Sequence, residues 1–234
     1  MPMKILAIDT STQYFSLALF NDGEILETFE HAPRQHAKKL LPTAERMLQE
    51  AGLQLAGLDA IAFGRGPGAF TGLRIAAAAA QGMGYAAQLP VVPVSSLAAT
   101  ALGAAREFNA SQLAVAFDAR MGEVYWGCYE YSNGILSVHG REQVCAPGKI
   151  LVPNVDSALA VADGWPVHQA ELTAAFKGKS IQRLELADAW APHAADIARL
   201  ASLELASGKE FPADMALPVY LRDNVAKRPA SMGG

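Results

Sequence analysis

Cysteine is almost missing from this sequence. Cys128 and Cys145 are its two cysteines, and neither sits in a C-x-x-C pair or beside a histidine cluster. That argues against a disulfide scaffold and a cysteine-built zinc site, and fits a reducing compartment with both thiols packed as small hydrophobes. Long apolar runs are also missing. The most apolar stretch, residues 75–80, is rich in alanine and far short of the roughly 20 residues that a membrane span needs. The N-terminus carries neither the apolar region nor the cleavage site of a signal peptide, so a cytoplasmic protein away from the membrane is expected. The five histidines, His31, His36, His139, His168 and His193, form no H-E-x-x-H pattern, and there is no G-x-S-x-G elbow. Zinc-protease and serine-hydrolase chemistry have no support. Charge is modest, with 18% charged residues and a net charge of −4, which argues against a nucleic-acid binder relying on its own surface field.

What is present is core-forming residue, 51% of the chain, enough for one large or two small domains. Residues 4–8, 15–20 and 24–29 read as a meander of three strands, with Asp22-Gly23 as a tight hairpin turn. Leu40, Leu41, Ala44, Met47 and Leu48 follow a helical period that starts or bends at Pro42 and ends near Gly52. Residues 60–63 and 91–94 read as further strands, 73–88 as a helix, and a second helix capped by Ser95 or Ser96 runs to about Glu107. This order matches the ribonuclease-H-like plan. The second half restarts it: residues 114–117 form an apolar strand ending in Asp118, residues 123–131 a long strand, and Asn133-Gly134 another hairpin turn. Asp9 precedes its turn glycine by 14 residues and Asp118 by 16, which suggests an internal duplication. Residues 1–108 are then a first lobe, 109–225 a second, degenerate lobe, and 226–234 a flexible tail. Residues 161–167 are read as a strand turned by Gly164, and 194–206 as a helix that could pack on either lobe.

Asp9 and Asp118 each end a buried strand. Such ends face one another across the cleft of a duplicated fold, where Asp9, Thr10, Ser11, Asp118 and Arg120 are candidates for nucleotide or anion binding. Alternatively, each aspartate simply caps its own turn. The stretch "FGRGPGAFTGLR", residues 63–74, sits between a strand and a helix, where backbone N–H groups favour an anion, but it lacks the lysine of a Walker loop. It reads mainly as a tight corner built from Gly64, Gly66, Gly68 and Gly72. The helix behind it has almost no charged face. A subunit interface through Thr71, Leu73, Arg74, Ala76, Ala77, Ala80, Gln81 and Gly84 is favoured over burial within the chain. The basic run at residues 34–39 is a candidate RNA contact or a solvated surface.

Five stretches, "ILAIDTST" (5–12), "GPGAFTGLRI" (66–75), "PVVPVSSLAA" (90–99), "DARMGEVY" (118–125) and "PVYLR" (218–222), resemble the TsaB (YeaZ) family, in the family's order and over nearly the whole chain. Ala69 and Ala76 stand where Ser and Gly are common. The resemblance implies a two-lobed actin/sugar-kinase/Hsp70-like (ASKHA) α/β fold. It implies a non-catalytic scaffold that pairs with the paralogue TsaD and works with the ATPase TsaE. Their joint reaction is transfer of threonylcarbamoyl to N6 of adenosine 37 in tRNAs reading codons that begin with A. tRNA is reached through the complex, no cofactor is held tightly, ATP or ADP would belong to the complex interface, and the chain alone could homodimerise. TsaD carries its metal on a His-Met-Glu-Gly-His motif; the matching place here is Ser96-Leu97-Ala98-Ala99-Thr100, so no metal and no peptidase activity are expected. The contrasting expectation is a self-sufficient ATP-dependent kinase or hydrolase built on Asp9 and Asp118.

Overall fold

The computed structural model describes residues 3–184, 187 and 190–222. Strands β1 (Lys4–Asp9), β2 (Tyr14–Asn21), β3 (Glu24–His31), β4 (Ala60–Gly66) and β5 (Val91–Ser95) form one sheet in the order β3-β2-β1-β4-β5. Strands β6 (Gln112–Asp118), β7 (Val124–Ser132), β8 (Ile135–Cys145), β9 (Ser157–Val161) and β10 (Ser180–Gln182) form the other, in the order β10-β9-β6-β7-β8. Reversed, the second order is the first. The pairing senses also repeat: the two meander pairs are antiparallel and the two crossover pairs parallel in both sheets. The chain is therefore a duplicated α/β fold of the actin/sugar-kinase/Hsp70 kind, two mixed five-stranded sheets with helices. Both hairpin turns take the left-handed backbone their sequences favour, with φ of 53° and 98° at Asp22-Gly23 and 52° and 80° at Asn133-Gly134.

The helices differ between the halves. In the first, α1 (His36–Glu50) contains Pro42 in its interior, beginning earlier than the apolar period suggests, and α2 (Phe70–Ala87) follows β4. Both lie on one face of the first sheet, where Leu6, Ile8, Leu40, Met47, Ile61, Phe63, Ala76 and Ala80 form a continuous core. Helix α3 (Ser96–Glu107) follows β5 and packs on the second sheet through Leu97, Ala101 and Ala104. In the second half the crossovers shrink. The stretch 161–167, read from sequence as one strand, is instead the end of β9 followed by the one-turn helix α4 (Gly164–Val167), then α5 (Gln169–Ala175). Gly164 is required here because a Cβ would meet the Ala116 carbonyl at 2.7 Å. Trp126, Trp165 and Phe176 fill the space beneath, and the indole of Trp165 donates to the Ala114 carbonyl at 2.7 Å.

Helix α6 (Ala194–Ala206) returns to the first sheet and covers its second face, with Ile197, Ala198 and Ala201 on Ile5, Ala7, Ala62 and Val92. Its N-terminus is capped from outside. Ser16 Oγ on β2 accepts from the Ala194 amide at 2.8 Å, and Glu27 Oε1 on β3 accepts from the Ala195 amide at 3.1 Å. A carboxylate at a helix start satisfies orphan N–H groups and complements the dipole. No helix among the described residues is long and apolar enough to cross a membrane. The tail at 226–234 lies outside the described residues.

Candidate functional site: an interlobe cleft and an exposed helix face

Asp9 ends β1 inside the protein, 1% exposed. Its Oδ1 accepts from the Ser11 amide and hydroxyl, both at 2.8 Å, and its Oδ2 from the Ser96 hydroxyl at 3.2 Å. Burial outweighs these bonds and pushes the carboxyl up to about 6. The glycine corner is pressed onto this turn. A Cβ at Gly64 would collide with the Asp9 carboxylate, one at Gly68 with Ser11, and one at Gly72 with the Thr10 carbonyl. Ala69 N donates to Ser11 O at 2.7 Å and Thr10 Oγ1 to Gly72 O at 2.7 Å. Gly66 alone of the four needs a left-handed backbone, with φ 105°. The sequence pattern separates the corner from the aspartate turn; the fold joins them into one block.

That block forms one wall of a cavity of about 420 Å³ between the lobes. Ser11, Thr12, Gly68, Ala69 and Phe70 face Asp118, Arg120, Tyr125 and Asp163 across it, with Trp190 and residues 219–222 completing the lining. Asp9 and Thr10 are not on its surface: they are buried behind Ser11. Asp9 caps its turn through the Ser11 amide and hydroxyl, one of the two readings that sequence left open. Asp118 and Arg120 do reach the cavity but neutralise each other at 2.8 Å, and Asp118 also accepts from the Arg120 amide at 2.9 Å. Asp163 receives the Asp118 amide at 3.0 Å, and its carboxyl is raised chiefly by burial. No lysine is among the described residues that line the cavity. Asp118, Asp163 and Arg120 of the lining all bond protein partners, so a magnesium-bound triphosphate would compete with those bonds. The hydroxyls at the place of the paralogue's metal motif are committed too: Ser96 donates to Asp9, and Thr100 Oγ1 to Ser96 O at 2.8 Å. No cluster of three or more metal-ligating side chains occurs among the described residues.

Helix α2 presents a different surface. Leu73, Ala76, Ala77, Ala80 and Gly84, expected on the interface, are instead buried within the chain's own core; small residues there let α2 lie close to the sheet. At Gly84 a Cβ would run into Val91. Of the expected interface residues, Thr71 and Arg74 are exposed and Gln81 is half-buried. The true outward stripe is Thr71, Arg74, Ala78, Gly82 and Tyr85, with Tyr85 83% exposed. Sequence reasoning missed Ala78, Gly82 and Tyr85 because an alanine-rich helix has no polar face to mark which side points outward. Leu41 on α1 follows the helical period of its neighbours but is exposed. The basic run near α1 is partly spent: Lys39 pairs with Glu30 at 3.0 Å and His36 is buried against the Tyr14 carbonyl.

A family model described as "TsaD: tRNA N6-adenosine threonylcarbamoyltransferase" matches residues 29–230. The chain is 39% identical over 229 residues to the "tRNA threonylcarbamoyladenosine biosynthesis protein TsaB" of Escherichia coli (strain K12), covering 96% of each. It is 37% identical over 234 residues to the protein of the same name from Haemophilus influenzae, covering 95% of each. The solved structure described as "YeaZ from Pseudomonas aeruginosa" superposes with a TM-score of 0.86 at 42% identity, covering 94% of this chain and all of that one. The model carries the transferase's name, but the full-length relatives are TsaB proteins. With identity of this order along the whole length and the glycine corner in place, the chain belongs to the TsaB (YeaZ) family.

Proposed function

We propose that the chain serves tRNA threonylcarbamoyladenosine biosynthesis as a non-catalytic docking subunit that pairs with the paralogue TsaD and acts beside the ATPase TsaE. The observation that carries this is the outward face of α2. Over about four turns it offers Thr71, Ala78, Gly82 and Tyr85 with one charged residue, Arg74. Leu41 lies exposed on α1, and α1 and α2 share one core. Small residues allow close helix approach, and a projecting tyrosine is a common anchor of an interface. The cleft supports the same reading from the other side, because Asp9 and Asp118 are tied to their own turns. Any ATP or ADP belongs, in this proposal, to the assembled complex and not to the cleft of this chain. tRNA likewise meets the complex.

Ala78→Glu places a charge on the outward stripe and leaves the core alone. It is expected to abolish association with the paralogue, followed by size exclusion or calorimetry, while the thermal transition of the free chain stays within a few degrees. Ala80→Glu buries an unpaired charge, which costs roughly 3–5 kcal/mol or more, and is expected to unfold the monomer itself. Full binding by a folded Ala78→Glu protein would exclude this face as the docking surface.

A further inference from the structure

Residues 213–222 leave the second half of α2 and run back along it. The Ala213 side chain lies near Gly84, the Val219 amide donates to Arg65 O at 2.7 Å, and Tyr220 reaches the first turns of α2. There the Tyr220 ring sits 5.3 Å from Phe70, its hydroxyl accepts from Arg74 Nε at 3.2 Å, and the Arg74 guanidinium lies 3.8 Å over the Phe70 ring. Two residues later the chain has crossed the cleft. Arg222, 16% exposed at its side chain, pairs with Glu123 and donates to Arg120 O at 3.3 Å. Its partners belong to the turn that carries Asp118 and Arg120. Residues 219–222 thereby form part of the lining of the interlobe cavity.

We propose that residues 217–222 are a strap that holds the two lobes together over the cavity and couples its opening to the outward face of α2. The two ends are anchored differently. Arg222 makes charge-assisted bonds to the second lobe, which are strong and directional. Tyr220 makes a ring contact and one hydrogen bond to side chains at the surface of the first. Arg74 belongs both to this anchor and to the outward stripe, so whatever displaces Arg74 loosens the Tyr220 end. Loosening one end of a short segment frees the other, because few buried contacts hold it between them. For what pulls on Arg74 the inference rests on the docking proposal; the strap itself is tested on the free chain, so failure of docking leaves the outcome readable.

Amide hydrogen exchange on the full-length chain tests it. Tyr220→Ala removes the side-chain anchor on the first lobe, leaving the Val219 amide bond to Arg65 O, and Arg222→Ala removes the side-chain anchor on the second. Tyr220→Ala is expected to speed exchange at Arg120 and Glu123, in the other lobe, by about tenfold. Arg222→Ala is expected to do the same at Val219. Tyr220→Phe keeps the ring and should give a smaller change in the same direction. Amides of β1 report global unfolding and should not move. Effects confined to the mutated lobe in both alanine variants would overturn the coupling.

Discussion

Asp9 is a carboxyl group in a place that disfavours its charge. Folding removes it from water, and the hydroxyls of Ser11 and Ser96 with the Ser11 amide compensate only in part, so its carboxyl rises from 3.8 to about 6. The folded state therefore holds the proton more tightly than the unfolded chain. Its contribution to stability is full below about 4, declines as pH rises to about 6 by roughly 3 kcal/mol, and is level above that. Asp9→Asn removes the titration. Urea unfolding of the variant relative to wild type is expected to show the difference in stability changing between pH 4 and pH 6 and constant above; a difference independent of pH would contradict the buried carboxyl. Glu27 has the opposite sign. Burial opposes its charge, but the bond and charge of His193, the Ala195 amide and the Ser16 hydroxyl hold it below the usual carboxylate value. That stability is present at neutral pH and fades as pH falls through the lowered value.

At the scale of the element, Glu27 explains why α6 lies where it does. The helix comes from the second half of the chain, but its capping groups, Ser16 and Glu27, belong to strands of the first. No local pattern announces a cap supplied from more than 160 residues away, so the helix was legible in sequence and its docking was not. Glu27→Gln is expected to lower stability at pH 7 by about 1–2 kcal/mol, with the deficit shrinking in acid; thermal unfolding at pH 7 and pH 4 reads both. Helix α2 shows a related limit. Its existence follows from its composition, but its orientation does not: alanines at 76, 77 and 80 are inside and alanine 78 is outside, and the residue type alone cannot say so. The glycines were legible as a close approach; what they approach, the turn of Asp9 to Ser11, is a contact made by the parallel pairing of β1 and β4.

At the scale of the molecule, duplication was readable because hairpin turns are local chemistry: Asp22-Gly23 and Asn133-Gly134 punctuate the same meander twice. The second half was harder to read after β8, where long crossover helices give way to short pieces around Trp165 and the apolar periods are too brief to register. The cleft between the halves combines two aspartate turns whose ligating power is spent on the fold with an α2 whose outward face is not. The proposed docking role puts the chain's part in assembly. Transfer of threonylcarbamoyl to tRNA, reconstituted from the paralogue, the ATPase and this chain, tests it most directly with two folded variants side by side. A docking subunit predicts that Asp9→Asn supports transfer at close to the wild-type rate and Ala78→Glu does not. Loss of transfer with Asp9→Asn in an intact complex, together with full transfer by Ala78→Glu, would contradict it.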